Sequence, residues 1–425
     1  MCHARLVLVG LTGISVACAA ACHDSTSPRI ASTQPAPATL TQLPRALTPA
    51  EAAVRDAANA FSFALWGKVN AAQPDTNVFL SPLSASFSLG MALNGAAGVT
   101  YDQMHGALQF GTSSLGDINA SYKSLIALLQ SLDPTVKMQV ANSIWYRAGF
   151  PVLPSFIDST TANFGATVQG LNFSDQQSSL ATINGWASNA TNGKIPTVLD
   201  EIDGQAEMFL MNAIYFKGSW RSQFDPAQTA TATFTPAVGA PQSMQLMHQL
   251  SALNYAVTPA FQAVDLSYGD SAFAMTVLLP TAGTSVETLA ASLTPASWQT
   301  IVASLRPLEQ VDLSFPKITL GYKRRLNPDL QALGMIEPFD SNGADFTRMA
   351  SAPAASSLYI SFVQQDSYVD INEEGTEAAA VTVTGIFTTA EQIPPVVRVD
   401  HPYIVVIRER LTGTVLFMGK VVRMP

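Results

Sequence analysis

From Glu51 onward the apolar residues sort into two periods. In EAAVRDAANAFSFALWGKV, the residues Val54, Ala58, Phe61, Leu65 and Val69 recur at three- and four-residue spacing, with Pro49 just upstream. That spacing predicts an amphipathic helix. NVFLSPLSASFSLGMALNGAA predicts a short strand and then a helix opened by Pro82. The helix is apolar nearly all round and must be buried. KMQVANSIWYRAG and AEMFLMNAIYFKGSW are rich in β-branched and aromatic residues and have the length of core strands. AFAMTVLLP, VDLSFPKITL, SLYISFVQQDSYVDIN, YIVVIRER and GTVLFMGKVV predict further strands. Helical stretches dominate the first half and strands the second, so the pattern predicts an α+β fold rather than a βαβ alternation. No repeat and no Pro/Gly-rich break interrupts residues 51–425, which read as one large domain.

One segment fits neither period. EEGTEAAAVTVTGIFTTAEQIPP, from Glu373 to Pro395, begins like a helix and turns into Val-Thr-Val-Thr, which suits a strand. It holds no Lys or Arg. It lies between two strand-like runs, close to the C-terminus.

Composition narrows the choices. Of 425 residues, 48% are hydrophobic and only 12% charged, against about 25% charged in ordinary soluble domains. Ser, Thr, Asn and Gln must therefore supply much of the surface. The net charge of −9 leaves no basic stripe to neutralise phosphates, which argues against a nucleic-acid partner and against a heparin-like polyanion. All three cysteines, Cys2, Cys18 and Cys22, fall in the first 22 residues. The domain thus has no internal disulfide and no thiolate metal site, and burial must stabilise it.

Residues 1–22 read as an export signal. A weakly basic start (His3, Arg5) precedes the apolar LVLVGLTGISVA, which is too short to span a bilayer. ACAAAC then ends on Cys22. It resembles a bacterial lipobox, in which the cysteine is lipidated and becomes the mature N-terminus, although Ala19 stands where Leu is usual. Residues 23–50, rich in Ser, Thr and Pro and without apolar period, read as a tether. The expected location is extracellular or cell-envelope, with Cys22 as a membrane anchor.

The catalytic inventory is thin. His105, His248 and His401 are far apart, and there is no G-x-S-x-G, H-E-x-x-H or phosphate loop. The expectation is a protein that is not an enzyme and needs no cofactor or metal.

Seven runs then point one way. NVFLSPLSASFSLGMALNGAAGVT, INGWASNATNGKI, LMNAIYFKGSW, PKITLGYKRRLNPDLQALGM, ADFTRM, INEEGTEAAA and VDHPYIVVIRERLTGTVLFMGKVV each resemble a block of the serpins, in the family's order and over nearly everything after Glu51. The resemblance implies a helical bundle with three β-sheets and an exposed reactive loop near the C-terminus. It implies a suicide-type inhibitor of serine endopeptidases, acting as a monomer. Such an inhibitor traps the acyl-enzyme when its cleaved loop enters the central sheet as a new strand. Inhibition of papain-like cysteine proteases, or a non-inhibitory binding or chaperone module, are the alternatives.

The undecided segment then corresponds to the reactive loop. Its hinge would be Glu373, Glu374, Gly375, Thr376, Glu377, Ala378, Ala379 and Ala380. On insertion alternate side chains point inward. Counted from Thr376 they are Thr376, Ala378, Ala380, Thr382 and Thr384, all small and uncharged, while Glu377 falls in the other set. A charge at an inward position would cost several kcal/mol. Counting Glu373 as the first of seventeen residues places the scissile bond at Thr389–Ala390, with Ile386, Phe387 and Thr388 as competitors. Thr389 would suit an elastase-like or subtilisin-like protease and Phe387 a chymotrypsin-like one. The resemblance also implies that Ser81, Pro82, Ser84, Asn212, Trp220 and Gln365 control opening of the sheet. Gln365 stands where the family commonly has His, so its amide can keep a hydrogen bond without the pH sensitivity.

Overall fold

The computed structural model describes residues 38–351, 353–376 and 393–425. Cys22, Glu377 to Ala380, Ile386 to Ala390 and the other inward candidates Thr382 and Thr384 lie outside the described residues.

Helix α1 (Pro49–Ala72) starts on a capping box in which the Thr48 side chain accepts from the Glu51 amide and the Glu51 carboxylate from the Thr48 amide. It buries Val54, Ala58, Phe61, Leu65 and Val69, the stripe its period predicts. Residues 38–48, within the stretch expected to be a tether, lie against the body: the Leu40 amide donates to Asp270 O, and Leu40, Leu43 and Leu47 pack on the core. Strand β1 (Val78–Leu80) leads into α2 (Pro82–Leu93), whose side chains are buried on every side except at Ser88. Helices α3 (Gly98–Ala107) and α4 (Leu115–Ser131) complete the first helical group.

A six-stranded sheet follows. Strand β2 (Val136–Arg147) pairs with β3 (Thr167–Leu171) on one side and β4 (Met208–Ser219) on the other, with α5 (Pro154–Phe164) and α6 (Gln176–Ala190) in the connections. The chain then builds β5 (Ala230–Phe234), β6 (Gln242–Val257), β7 (Phe261–Ser267) and β8 (Phe273–Pro280). Helices α7 (Val286–Ser292) and α8 (Pro295–Ser304) precede β9 (Arg306–Pro316) and β10 (Ile318–Arg325), and a short α9 (Asn327–Gln331) follows. Strands β11 (Gln364–Ile371) and β12 (Gly375–Thr376) return to the six-stranded sheet, in the order β10-β11-β12-β4-β2-β3. Strands β13 (Val396–Arg398), β14 (Tyr403–Glu409) and β15 (Val415–Val421) close the rest, in the order β1-β15-β14-β8-β7-β6-β9-β13 with β5 beside β6. The long β6 shifts register between Ser251 and Leu253, so its first half, with β5, β9 and β13, forms a third sheet continuous with the second. The fold is α+β, with helices and three sheets.

Two strand expectations need correction. VDLSFPKITL is two strands, β9 and β10. Pro316 ends the first, and the chain changes sheet at Lys317, β9 pairing β6 and β10 pairing β11. SLYISFVQQDSYVDIN is strand only from Gln364. In the preceding stretch the Ile360 amide donates to Pro338 O, the Val363 amide to Asn327 Oδ1, and Val363 O accepts from Leu326. Those groups are bonded to the loops around α9, so no ladder can claim them.

Candidate functional site

The site is the point where the C-terminal segment leaves β11 and turns back. Asn372 makes that turn. Its Oδ1 accepts from the amides of Glu374 and Gly375, and its own amide donates to Gly375 O. The two residues of β12 then enter between β11 and β4, antiparallel to both. Thr376 faces Ile371 on one side and Gly218 on the other. Below Thr376, among the described residues, β4 and β11 share no ladder.

This placement demands glycine at 375. Its φ is +154°, and a Cβ there would lie 2.1 Å from Gly218 O and 2.8 Å from Ser219 Cα, both backbone atoms. Thr376 is buried, and its hydroxyl lies 2.7 Å from the hydroxyl of Tyr268. Gly218 opens the way for that contact: a Cβ there would stand 2.8 Å from the Tyr268 ring.

Two aromatic rings form the floor. Trp220 and Tyr268 stack at 4.5 Å between centroids, tilted by 18°. The Trp220 indole N–H donates to Asn372 O at 3.0 Å and its amide to Glu374 O at 2.9 Å, while the Phe224 amide donates to Glu373 O. Glu373 is tied at its carboxylate by Lys317 at 2.8 Å and by Thr229 Oγ1 at 2.8 Å. Burial would raise Glu373, but the bonds from Lys317 and Thr229 outweigh it and hold the carboxyl below its ordinary range. Burial pushes the Tyr268 hydroxyl well above its ordinary value, so it stays an O–H donor.

A second polar cluster lies further down the sheet. The Gln365 amide grips the backbone of Ser81 from both sides: Oε1 accepts from the Ser81 amide at 3.1 Å and Nε2 donates to Ser81 O at 2.5 Å. Ser81 precedes the Pro82 that opens α2, but its hydroxyl donates to Leu416 O on β15 and does not cap the helix. Ser84, one turn later, bonds Asn212 Oδ1 on β4; Asn212 Nδ2 donates to Asn142 Oδ1, and Asn142 to Phe164 O. The start of α2 is thereby tied to β11, to β15, and through Asn212 to β4 and β2.

The structure brings Glu373, Glu374, Gly375, Thr376 and Trp220 together at the turn, and Ser81, Pro82, Ser84, Asn212 and Gln365 together at α2. Sequence reasoning missed Tyr268, Lys317, Thr229, Asn142 and Asn372. The Asn372-to-Gly375 spacing is a turn signal that could have marked Asn372. Nothing local marks Tyr268, which lies 108 residues from its partner Thr376. His105, His248 and His401 stay apart: His105 meets Ser113 O, His248 bridges Gln228 and Asp312, and His401 bridges Asp400 and Pro280 O. Among the described residues no group of three or more His, Cys, Asp or Glu could hold a metal ion, and no helix is long and apolar enough to cross a membrane.

Comparison with known proteins bears on this site. The family described as "Serpin (serine protease inhibitor)" matches residues 56–424. Iripin-8 of Ixodes ricinus is 33% identical over 360 residues, covering 81% of this chain and 88% of that one. The leukocyte elastase inhibitor of Xenopus laevis is 30% identical over 370 residues, 85% of this chain and 96% of that one. Among solved structures, native protease nexin-1 with heparin superposes with a TM-score of 0.78 at 26% identity, covering 88% of this chain and 100% of that one. Members of this family are commonly serine protease inhibitors. The chain belongs to the serpin family.

Proposed function

We propose that the protein is a suicide-type inhibitor of serine endopeptidases. A target protease attacks the segment between Thr376 and Ile393, is acylated on it, and is carried away as the cleaved segment continues β12 down the sheet. One observation carries this reading: Gly375 and Thr376 already sit as a strand between β11 and β4, antiparallel to both, with no β4–β11 ladder beneath. Continuing both ladders in step would set Thr382 opposite Asn212 on β4 and Gln365 on β11. The two polar clusters described above would then flank the incoming strand, which supports a role for Ser81, Pro82, Ser84, Asn212 and Gln365 in sheet opening.

The magnitudes suffice. About 13 inserted residues add roughly ten ladder hydrogen bonds at about 1 kcal/mol each, and carry the acylated end some 40 Å at about 3.3 Å per residue. Displacing catalytic groups by about 1 Å can slow a reaction about 100-fold, so a dragged protease stops before deacylation. The scissile bond is Thr389–Ala390, with Phe387 as the competing site. An export signal in residues 1–22 and a lipid on Cys22 would hold the inhibitor outside the cytoplasm. The test is incubation with elastase-, subtilisin-, chymotrypsin- and trypsin-like proteases. Complexes that survive SDS support the reading, and cleavage by all of them without any complex refutes it.

A further inference from the structure

The turn between β7 and β8, residues 268–272, carries Tyr268 and is held from several directions. The Gly269 amide donates to Ser219 O at the end of β4. Asp270 O accepts from the Leu40 amide, and Ala272 O from the Arg410 amide. The guanidinium of Arg221 donates to Gly269 O at 3.0 Å, and that of Arg410 to Ser271 O at 2.6 Å. One further hold sets an acid against an acid. Asp133, buried in the connection between α4 and β2, accepts from the Asp270 amide at 2.9 Å, and the Asp270 carboxyl is hydrogen-bonded to it as well. The turn comes this close because residue 269 is glycine, with φ +42°: a Cβ there would collide with the Thr135 hydroxyl and the Asp133 carboxylate. Two carboxyls can share a hydrogen bond only while one of them keeps its proton. Donor counts say which. Asp133 takes three donors, the amides of Thr135 and Asp270 and the Thr135 hydroxyl, whereas Asp270 takes one, the Ala272 amide. Asp270 is therefore the member that holds the proton. The cations facing the turn, Arg221 and Arg410, bond its carbonyls rather than the pair, and Arg45 on the N-terminal segment is paired with Glu51.

We propose that the Asp133–Asp270 pair is an acid-strengthened catch on the hinge, closed by one shared proton and loosened when that proton leaves. The route to the hinge is short. Tyr268, two residues before Asp270, meets Thr376 with its hydroxyl and Trp220 with its ring, and Trp220 in turn holds Asn372 O and Glu374 O. With the proton gone, two carboxylates face each other across the turn, and Arg221 offsets their repulsion only weakly. The repulsion drives the turn off the α4–β2 connection. Tyr268 moves with the turn, and the floor under Thr376 moves with Tyr268. Burial first, and then the bond to Asp133, push the Asp270 carboxyl up to about 6. Its folded value is raised, so its stabilisation is complete below the unfolded value of about 3.9 and is lost as the pH rises through the folded one. The catch acts on the intact hinge and stands whichever protease is the target.

The experiment follows wild type, Asp270→Asn and Asp270→Ser from about pH 4 to pH 7.5, reading the melting temperature and the emission of Trp220. Trp220→Phe supplies the background from the other tryptophans. In Asp270→Asn an amide N–H stands permanently in place of the shared proton. Asp270→Ser removes the acid and keeps an acceptor for the Ala272 amide, which guards against a folding defect in the first variant. Wild-type Trp220 emission should step with a midpoint near 6, and both variants should lack the step. Between about pH 4 and pH 7 wild type should lose at least about 2 °C of melting temperature relative to Asp270→Asn. The histidines contribute alike to all three proteins and cancel in the comparison. A step that persists in both variants, or a melting difference that does not change with pH, overturns the catch. A pH-dependent melting difference with unchanged Trp220 emission overturns its reach to the hinge, because the pair would then stabilise its own turn alone.

Discussion

The hydroxyl of Tyr268 lies 2.7 Å from that of Thr376, and the Tyr268 ring is stacked on Trp220. One side chain thereby joins Thr376, the second residue of β12, to the aromatic floor beneath it. Removing the oxygen in Tyr268→Phe leaves the ring packing and orphans a buried hydroxyl. We expect a loss of about 1 kcal/mol in the stability of the intact protein. Denaturant titration of the two proteins checks this, and equal midpoints would mean that the contact contributes nothing.

Thr376→Arg should abolish inhibition and leave the fold intact. An arginine there must either be buried unpaired between β4 and β11 or keep the hinge out of the sheet. The variant should be cut as a plain substrate. Gel analysis with a serine protease shows the outcome, and stable complexes at the wild-type stoichiometry would refute insertion of this segment.

Cleavage within residues 377–392 should raise the melting temperature. The freed segment could pair with β4 and β11 at once, and roughly 10 kcal/mol of added hydrogen bonding is large beside a usual total of about 5–15 kcal/mol. Calorimetry of intact and cleaved protein decides it. An unchanged or lower value after cleavage would indicate a member of the family that does not inhibit.

Acid should weaken the N-terminal end of α1 in a defined window. The hydrogen bond from Arg45 holds the Glu51 carboxyl down at about 2, against the opposing effect of its burial. Its folded value is depressed, so its stabilisation is present above the unfolded value of about 4.3 and is lost as the pH falls toward about 2. Glu51→Gln should flatten the pH dependence of stability in that window. At neutral pH it should lose the ion pair with Arg45 while the Gln amide oxygen still accepts from the Thr48 amide, so the cap itself should persist. Melting curves from pH 2 to 7 test both.

Trypsin-like proteases should be inhibited poorly. Their pocket offers a buried carboxylate to Arg or Lys, and no basic residue lies between Glu373 and Pro395. An elastase- or subtilisin-like pocket would accept Thr389 and a chymotrypsin-like one Phe387. Mass spectrometry of the fragment released on complex formation identifies the bond. Fast inhibition of trypsin, with a cut outside Ile386 to Ala390, would refute both assignments.

Much of the fold is legible because its elements carry strong local periods. The α1 stripe from Val54 to Val69 and the apolar α2 are buried as their spacing predicts, and the cores of β2, β4, β14 and β15 stand where the β-branched runs are. What stayed hidden is long-range. Leu358 to Val363 looks like strand, yet its backbone is bonded to loops around α9 that no local pattern reveals. The hinge residues could be named from the resemblance. Their supports could not, because Tyr268, Lys317 and Thr229 reach Thr376 and Glu373 from distant parts of the chain. Gln365 is a case between: its amide chemistry was readable, but its two-sided hold on the Ser81 backbone was not.

Strand β1 has a further consequence for how the chain comes to fold. Its ladder partner is β15, with Val78 opposite Lys420 and Leu80 opposite Met418, and β15 in turn pairs with β14. Among the described residues, the first strand is completed by the last, more than three hundred residues later. A ribosome adding about 5–20 residues per second exposes β1 and the apolar α2 for tens of seconds before their partner emerges. Closing so long a loop is slow. A nascent chain that has not yet exposed Val415 lacks the strand that pairs with β1, so this part of the core is completed only late in synthesis.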